Sequence, residues 1–332
     1  MAITLKDVAK RAGVSESAVS RAFTQGASVS QKMRKKVEKV ALELGYAPNA
    51  LASSLTTGRT RLIGFVSNNF HNPFFLEVFD RFTKGLQAKG LKPLLVNLSD
   101  EPTPEGPLRM LKQYSVDGII VASSTLPPSF DEAFSAAKLP LVYSFGRAVT
   151  TPDVNFVGVD NWECGRLAAR TLAARGYEQI AFLGGPKRAT STQERRGGFL
   201  EECSKHKHVS ATVSYSKTYS YEGGRAEMLR LLQEKPAEAY FCGDDVVALG
   251  ALSALQDKNI KVPETVGLLG LNDMEMAGWD NFSLTTIRQP ITEIVNASIE
   301  LMVAMLEQPD RLPEMRLFPC RLVERKTLRP TP

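Results

Sequence analysis

The chain has 332 residues, 43% of them apolar and 23% charged, and its 41 basic and 36 acidic side chains leave a formal charge of +5. Length and composition suit a globular protein of two or three domains. No run of 18 apolar residues, no apolar signal core in the opening MAITLKDVAK and no Cys-x-x-Cys pair is present. A membrane span, a secretory leader, a disulfide frame and a zinc site are therefore not expected, and a cytoplasmic protein with four reduced, core-type cysteines is.

The charge is placed unevenly. Residues 1–60 carry ten basic and four acidic side chains, a net +6, while the other 272 carry −1. A basic head on a near-neutral body points to a polyanion met by the head.

In chain order, Thr4 can cap a first helix with Asp7 as the return partner of a capping box, and Leu5, Val8, Ala9 and Ala12 recur at helical spacing before Gly13 stops it. Ser15 can cap a second helix to about Phe23, with Ala18, Val19 and Ala22 inward and Glu16, Ser17, Ser20 and Arg21 outward. A third starts at Ser30, turns Met33, Val37, Val40, Ala41 and Leu44 inward and ends at Gly45. Two short helices joined by a glycine turn, then a third, fit a helix-turn-helix whose second helix enters a major groove about 12 Å wide. The same pattern fits a small three-helix packing module with a solvated face. Between Pro48 and Gly58, Ala50, Leu51, Ala52 and Leu55 share one face of a helix too short to stand alone in water.

From Leu62 onward apolar runs alternate with helical stretches. Runs at 62–66, 93–96, 118–122 and 141–143 read as buried parallel strands, and a second series follows at 180–183, 213–215, 239–242 and 266–269. Helices are predicted at 162–174 and 246–258, among others. Two βαβ series of similar size imply two doubly wound lobes with a ligand cleft at the carboxyl ends of the strands. Ser67-Asn68-Asn69-Phe70 after the first strand is no Gly-rich phosphate loop, so a nucleotide enzyme is unsupported. Neither Gly-x-Ser-x-Gly nor His-Glu-x-x-His occurs, and three histidines (His71, His206, His208) without a carboxylate cluster supply no metal site. No catalytic residue, metal or cofactor is assigned.

The words of the head go further than its periodicity. Thr4-Leu5-Lys6-Asp7-Val8-Ala9, Ala12-Gly13-Val14-Ser15, Val19-Ser20-Arg21, Val29-Ser30, Arg34-Lys35-Lys36-Val37 and Leu44-Gly45-Tyr46-Ala47-Pro48-Asn49 resemble, in order and spacing, the lactose-repressor (LacI/GalR) family of bacterial transcription regulators. The body resembles that family's sensor, related to periplasmic sugar-binding proteins, through Asn72-Pro73-Phe74-Phe75, Arg195-x-x-Gly198-Phe199, Asp244-Asp245-x-x-Ala248-Leu249-Gly250-Ala251-Leu252 and Gly270-Leu271-Asn272-Asp273. The resemblance covers essentially the whole chain. It implies an all-α helix-turn-helix head at 1–47, a hinge helix and linker at 48–60, and a two-lobed α/β sensor with doubly wound parallel sheets. One lobe is expected to comprise 61–160 and 290–318, the other 161–289 and 319–332.

Carried over by position, Ser15, Glu16, Ser17, Ser20 and Arg21 read base edges, and Thr4, Ser30 and Asn49 make further DNA contacts. Leu55 is the minor-groove wedge with Ala52 beside it. Arg21 can grip a guanine and Glu16 can accept from a cytosine amino group, although Glu16 also suits the helix dipole where it stands. The expected effector residues are Asn72, Phe74, Phe75, Arg147, Asp160, Arg195, Tyr219, Asp244, Asn272 and Gln289. Phe75 suits the core better than the pocket wall, Asp245 is expected as a helix N-cap, and Asp273 as a support behind the ligand residues. Asp244 stands where the family commonly has Asn, and Asn272 where it commonly has Asp, so no relative's ligand transfers directly.

The expected partners are a double-stranded DNA operator and a small polar effector, namely a sugar, sugar acid or sugar phosphate, acting more readily as inducer than as corepressor. No membrane partner is expected. A sugar receptor of the periplasmic kind would carry a leader and no basic head, and an enzyme on this scaffold would need a catalytic constellation. Residues 324–332 hold no leucine heptad, so a homodimer is expected in place of a tail-bundled tetramer, joined by helices near 72–88, 221–233 and 245–257.

Overall fold

The computed structural model describes residues 3–24, 26–49, 54–55, 58–99, 101–146 and 154–331. The chain divides into two units, Met1–Arg61 and Leu62–Pro332.

In the first unit, α1 (Leu5–Ala12), α2 (Glu16–Phe23) and α3 (Gln31–Leu44) start and stop where their caps direct. Thr4 and Asp7 close the capping box: the Thr4 N–H donates to Asp7 Oδ2 at 2.8 Å and the Asp7 N–H returns to Thr4 Oγ1 at 3.4 Å. Ser15 Oγ accepts from the Ala18 N–H at 3.2 Å and Ser30 Oγ from the Met33 N–H at 3.2 Å. Gly13 (φ +62°) and Gly45 (φ +67°) end α1 and α3 in the left-handed region that glycine enters without strain. Val8, Ala9, Ala12, Val19, Ala22, Val37 and Ala41 are the buried centre of the three helices.

The second unit contains two six-stranded sheets. In the first, β1 (Leu62–Ser67), β2 (Lys92–Asn97), β3 (Gly118–Ala122), β4 (Leu141–Ser144), β5 (Asn155–Val159) and β11 (Met315–Phe318) run parallel in the order β11-β5-β4-β3-β1-β2. In the second, β6 (Gln179–Gly184), β7 (Ser210–Tyr215), β8 (Ala239–Cys242), β9 (Gly267–Asn272) and β10 (Thr286–Arg288) run parallel, and β12 (Arg321–Val323) closes one edge antiparallel to β10, in the order β12-β10-β9-β8-β6-β7. Central strands such as β3 and β8 are buried end to end, as the unbroken apolar runs require of strands covered on both faces.

Helices α4 (Phe74–Ala88), α5 (Glu105–Gln113) and α6 (Pro128–Ala136) alternate with the strands of the first sheet. Helices α7 (Asn161–Ala173), α8 (Thr190–Cys203), α9 (Tyr221–Leu231) and α10 (Asp245–Asp257) do the same for the second. Helix α11 (Ile291–Glu307) returns to the first sheet, where Ser298 Oγ meets Ser144 Oγ at 2.6 Å. The chain therefore crosses between the sheets three times, at 160, at 289–290 and at 319–320. Strands β5, β10, β11 and β12 are absent from the predicted series; β11 and β12 are short and half-exposed. Neither β5 nor β10 is a long apolar run of its own, and β10 has only three residues.

Candidate functional site

The head presents a polar face built by α2. Its buried side is Val19 and Ala22, which leaves Ser15, Glu16, Ser17, Ser20 and Arg21 exposed on the other. Some of these groups are already engaged locally: Ser15 Oγ caps the helix and lies 3.0 Å from Ser17 Oγ, and Arg21 Nε donates to the Ser17 carbonyl at 3.3 Å. Arg34 reaches back from α3 to the Ala22 and Thr24 carbonyls, tying the end of α2 to the third helix. Thr4 and Ser30 are exposed caps, and the Thr4 hydrogen bonds hold the Asp7 carboxyl below its usual range. Asn49 is exposed at the end of the head. Leu55 lies in a helical pair with Ser54 and is 90% exposed, an extreme value for a leucine; Ala52 lies outside the described residues.

The second site lies where the carboxyl ends of the two sheets face each other. Asn69, Asn72, Phe74, Phe75, Ser124 and Phe145 from the first lobe and Ser191, Arg195, Tyr219, Asp244, Asn272 and Gln289 line an inner recess of about 30 Å³. That volume holds water and no sugar. It shares Asn69, Asn72 and Tyr219 with a wider mouth of about 590 Å³, within the size range of ordinary ligand pockets.

At the centre is Asp244, 5% exposed. Its Oδ1 accepts from the Val246 N–H at 2.8 Å, so it caps α10. Its Oδ2 accepts from Asn72 Nδ2 and from Asn272 Nδ2, both at 2.9 Å. The first of these bonds spans the lobes. Gln289 Nε2 donates to Asn272 Oδ1 at 2.5 Å, while Gln289 Oε1 is buried with no partner among the described residues. Arg195 is 5% exposed and is aimed by Asn161 Oδ1 at 2.8 Å from its Nε and by the Gly243 carbonyl at 2.7 Å from its Nη1. The Thr190 N–H and Ser191 Oγ donate across the cleft to Ser124 O at 3.1 Å and Ser124 Oγ at 2.9 Å, so the lobes are closed on one another.

Burial pushes the Asp244 carboxyl up to about 6, against the Val246 N–H, Asn72, Arg195 and Asn272, which all favour its charged form. Burial likewise pushes Asp245 up to about 7, opposed by the Thr286 hydroxyl at 2.5 Å and the Met274 N–H at 2.8 Å. Asn272 (φ +127°) and Asp273 (φ +59°) are consecutive non-glycine residues at positive φ, strain that is usually stored at ligand sites.

Eight of the ten expected effector residues meet at this recess: Asn72, Phe74, Phe75, Arg195, Tyr219, Asp244, Asn272 and Gln289. Asp160 does not. It is exposed and accepts from the Glu163 N–H at 2.9 Å as the N-cap of α7, and its neighbour Asn161 is the buried residue that turns inward to Arg195. Arg147 lies outside the described residues. Asp245 is not the N-cap of α10, because Asp244 takes that role and Asp245 is fully buried behind it. Tyr219 is in the loop beyond β7, which ends at Tyr215, with its hydroxyl 2.6 Å from Thr192 Oγ1 and 3.1 Å from Ser191 Oγ. Phe75 is both core and wall, edge-on to Phe74 at 5.3 Å and 7% exposed. Asp273 holds Arg288 at 2.5 Å and Arg325 at 2.6 Å. Asn69, Ser124 and Ser191 were not anticipated. Among the described residues no group of three His, Cys, Asp or Glu is placed to hold a metal ion, and no helix is long and apolar enough to cross a membrane.

Comparison with known proteins bears on both sites. Residues 4–49 match the family model for bacterial regulatory proteins of the lacI family, and residues 169–328 match that for a periplasmic binding protein-like domain. The HTH-type transcriptional repressor PurR of Klebsiella pneumoniae (strain 342) is 30% identical over 98% of this chain and 96% of its own length. The chain belongs to the lacI family. The sucrose operon repressor of Pediococcus pentosaceus is 31% identical over 96% of this chain and 98% of its own. A solved structure of the lac repressor dimer bound to operator and the anti-inducer ONPF superposes with a TM-score of 0.85 at 26% identity, covering 98% of this chain and 99% of that one. This lacI-family chain is a DNA-binding transcriptional repressor with a ligand-binding domain, and the relatives named here are repressors, not enzymes.

Proposed function

We propose that the protein binds a pseudo-palindromic operator as a homodimer and releases it when a polyhydroxylated effector, a sugar, sugar acid or sugar phosphate, enters the interlobe cleft. The carrying observation is the buried ring of Asn72, Asp244, Asn272, Gln289 and Arg195, in which one carboxylate joins amides from both lobes. Carboxylate, amide and guanidinium groups bracket neighbouring hydroxyls with paired hydrogen bonds, and Phe74, Phe75 and Tyr219 offer apolar faces to ring C–H groups. Gln289 Oε1 is an acceptor awaiting a donor, which a ligand hydroxyl supplies. Arg195 gives the site its reach toward an acid or phosphate.

In the head, Ser15, Glu16, Ser17, Ser20 and Arg21 are the base readers, with Thr4, Ser30 and Asn49 as further DNA contacts and Leu55 as the wedge. Of the three helices expected at the dimer contact, α10 is buried in its own lobe apart from Ser253, Gln256 and Asp257. This shifts the proposed interface toward α4, where Leu76 is 66% exposed, and α9, where Tyr221 is 38% exposed. The effector acts by binding one lobe arrangement better than the other, and couplings of about 1–3 kcal/mol are usual. A thermal-shift screen over sugars, sugar acids and sugar phosphates tests the cleft. A binder at 100 times its Kd adds about 2.7 kcal/mol to stability, and the shift should vanish in Asp244→Leu. A panel with no binder, or a shift retained by that variant, contradicts the reading.

A further inference from the structure

Two cysteines meet at the lobe crossovers. Strands β5 and β11 are parallel neighbours with Phe318 opposite Val159, so the chain leaves the first sheet twice at adjacent points. Beyond Val159, Asp160 caps α7 and its carbonyl accepts the Cys164 N–H at 2.9 Å in the first turn. Beyond Phe318, Pro319 and Cys320 are the only residues before β12 in the second sheet. Across this junction Cys164 Sγ and Cys320 Sγ are 2.8 Å apart, while a covalent S–S bond is about 2.05 Å. Both are free thiols.

We infer that Cys164 and Cys320 are a reversible dithiol–disulfide pair which, when oxidised, staples two of the three crossovers between the lobes. The two thiols are unequal in the way such a pair requires. Cys320 is half-buried and the more accessible of the two, whereas Cys164 is 1% exposed and its hydrogen bond to Cys320, with burial, keeps it a thiol. With a low-molecular-weight disulfide such as oxidised glutathione as oxidant, the Cys320 thiolate attacks one sulfur, forms a mixed disulfide and expels one thiolate. That thiolate takes the Cys164 proton. The Cys164 sulfur then displaces the second thiolate from Cys320, which picks up the proton Cys320 had shed. Overall, two protein thiols and one small disulfide become one protein disulfide and two small thiols.

The staple lies beside the effector cleft. Helix α7 also carries Asn161, which aims Arg195, and it packs on α8 so closely that a methyl group at Gly165 would collide with the Arg195 carbonyl. Lobe opening changes backbone dihedrals at the crossovers, so a bond between two of them holds the closed arrangement in which the sulfurs meet. Such a disulfide in a reducing compartment is of the transient, sensing kind.

The test treats the full-length protein with oxidised glutathione, quenches with acid and counts thiols after unfolding. Two of the four cysteines should be lost, recovered with dithiothreitol, and found as a joined pair of Cys164 and Cys320 peptides in a monomer-sized chain. Cys164→Ser should stop at a glutathione adduct on Cys320, and Cys320→Ser should keep all its thiols. Amide exchange at residues 160–164 and 319–323 should slow at least tenfold on oxidation. Four surviving thiols, a stable glutathione adduct in the unaltered protein, a link between chains or unchanged exchange at the crossovers would each overturn the assignment.

Discussion

The head and the cleft use polar side chains in opposite ways. On α2, Glu16, Ser17, Ser20 and Arg21 stand in solvent, and the three-helix core beneath them is made of other residues. In the cleft, Asp244, Asn272, Asn72, Arg195 and Gln289 are each at most 5% exposed; the amides of Asn72 and Asn272 donate to Asp244, that of Gln289 donates to Asn272, and Arg195 is held by Asn161 and the Gly243 carbonyl. An exposed reading face can change its letters at little cost to the fold. A buried ring cannot, because removing one member leaves its partners desolvated and unpaired. On the roles proposed above, specificity for DNA is separable from stability, and specificity for the effector is not.

The contrast is most sharply tested by Arg195→Ala. It strips donors from Asn161 Oδ1 and the Gly243 carbonyl and removes the cation facing Asp244, so urea unfolding of the sensor should show a loss of about 3 kcal/mol. Arg21→Ala is the matched substitution in the head. It should leave stability within about 0.5 kcal/mol while weakening operator binding by about 1–3 kcal/mol in a fluorescence titration, and a comparable loss of stability would erase the distinction.

Acidity separates the regions next. Asp244 and Asp245 bind protons more tightly in the fold, at about 6 and about 7, than at the ordinary carboxylate value of 3.8. Between 3.8 and about 7 the folded chain thus holds more protons than the unfolded one, and stability falls as pH rises through that window. The sensor should gain about 2 kcal/mol between pH 7.5 and 5.5 by calorimetry, and Asp245→Asn should flatten that slope. The smallest effect is expected from Ser30→Ala, which removes the cap of α3 and should cost the head about 1 kcal/mol in a circular-dichroism melt.

Legibility in the sequence followed the same divide. The helices of the head could be bounded almost to the residue, because Thr4, Ser15 and Ser30 cap and Gly13 and Gly45 terminate through purely local bonds. The central strands β1, β3, β6, β8 and β9 were equally plain as apolar runs, whereas the buried β5 and β10 were not. The cleft was legible where a residue sits at a strand end, as with Asn272 closing β9 and Gln289 just after β10. It was not legible where a one-residue phase decides: Asp160 caps outward while Asn161 turns in, and Asp244 caps while Asp245 is buried. Asn69 and Ser124, in loops, and Ser191, in the first turn of α8, are small polar residues with no local signature, brought together by closure of the lobes. The Cys164–Cys320 approach is a contact across 156 residues of sequence that no spacing announces.

In the function proposed above, occupancy of the cleft lowers the affinity of the head for DNA. The most direct test is an anisotropy titration of a selected palindromic duplex with the full-length protein, at fixed salt, with and without a sugar-class compound that raises its melting temperature. DNA binding should weaken at least tenfold in the presence of that compound, and the effect should be lost in Asp244→Leu. An affinity that is unchanged, or tighter, would contradict the proposed function.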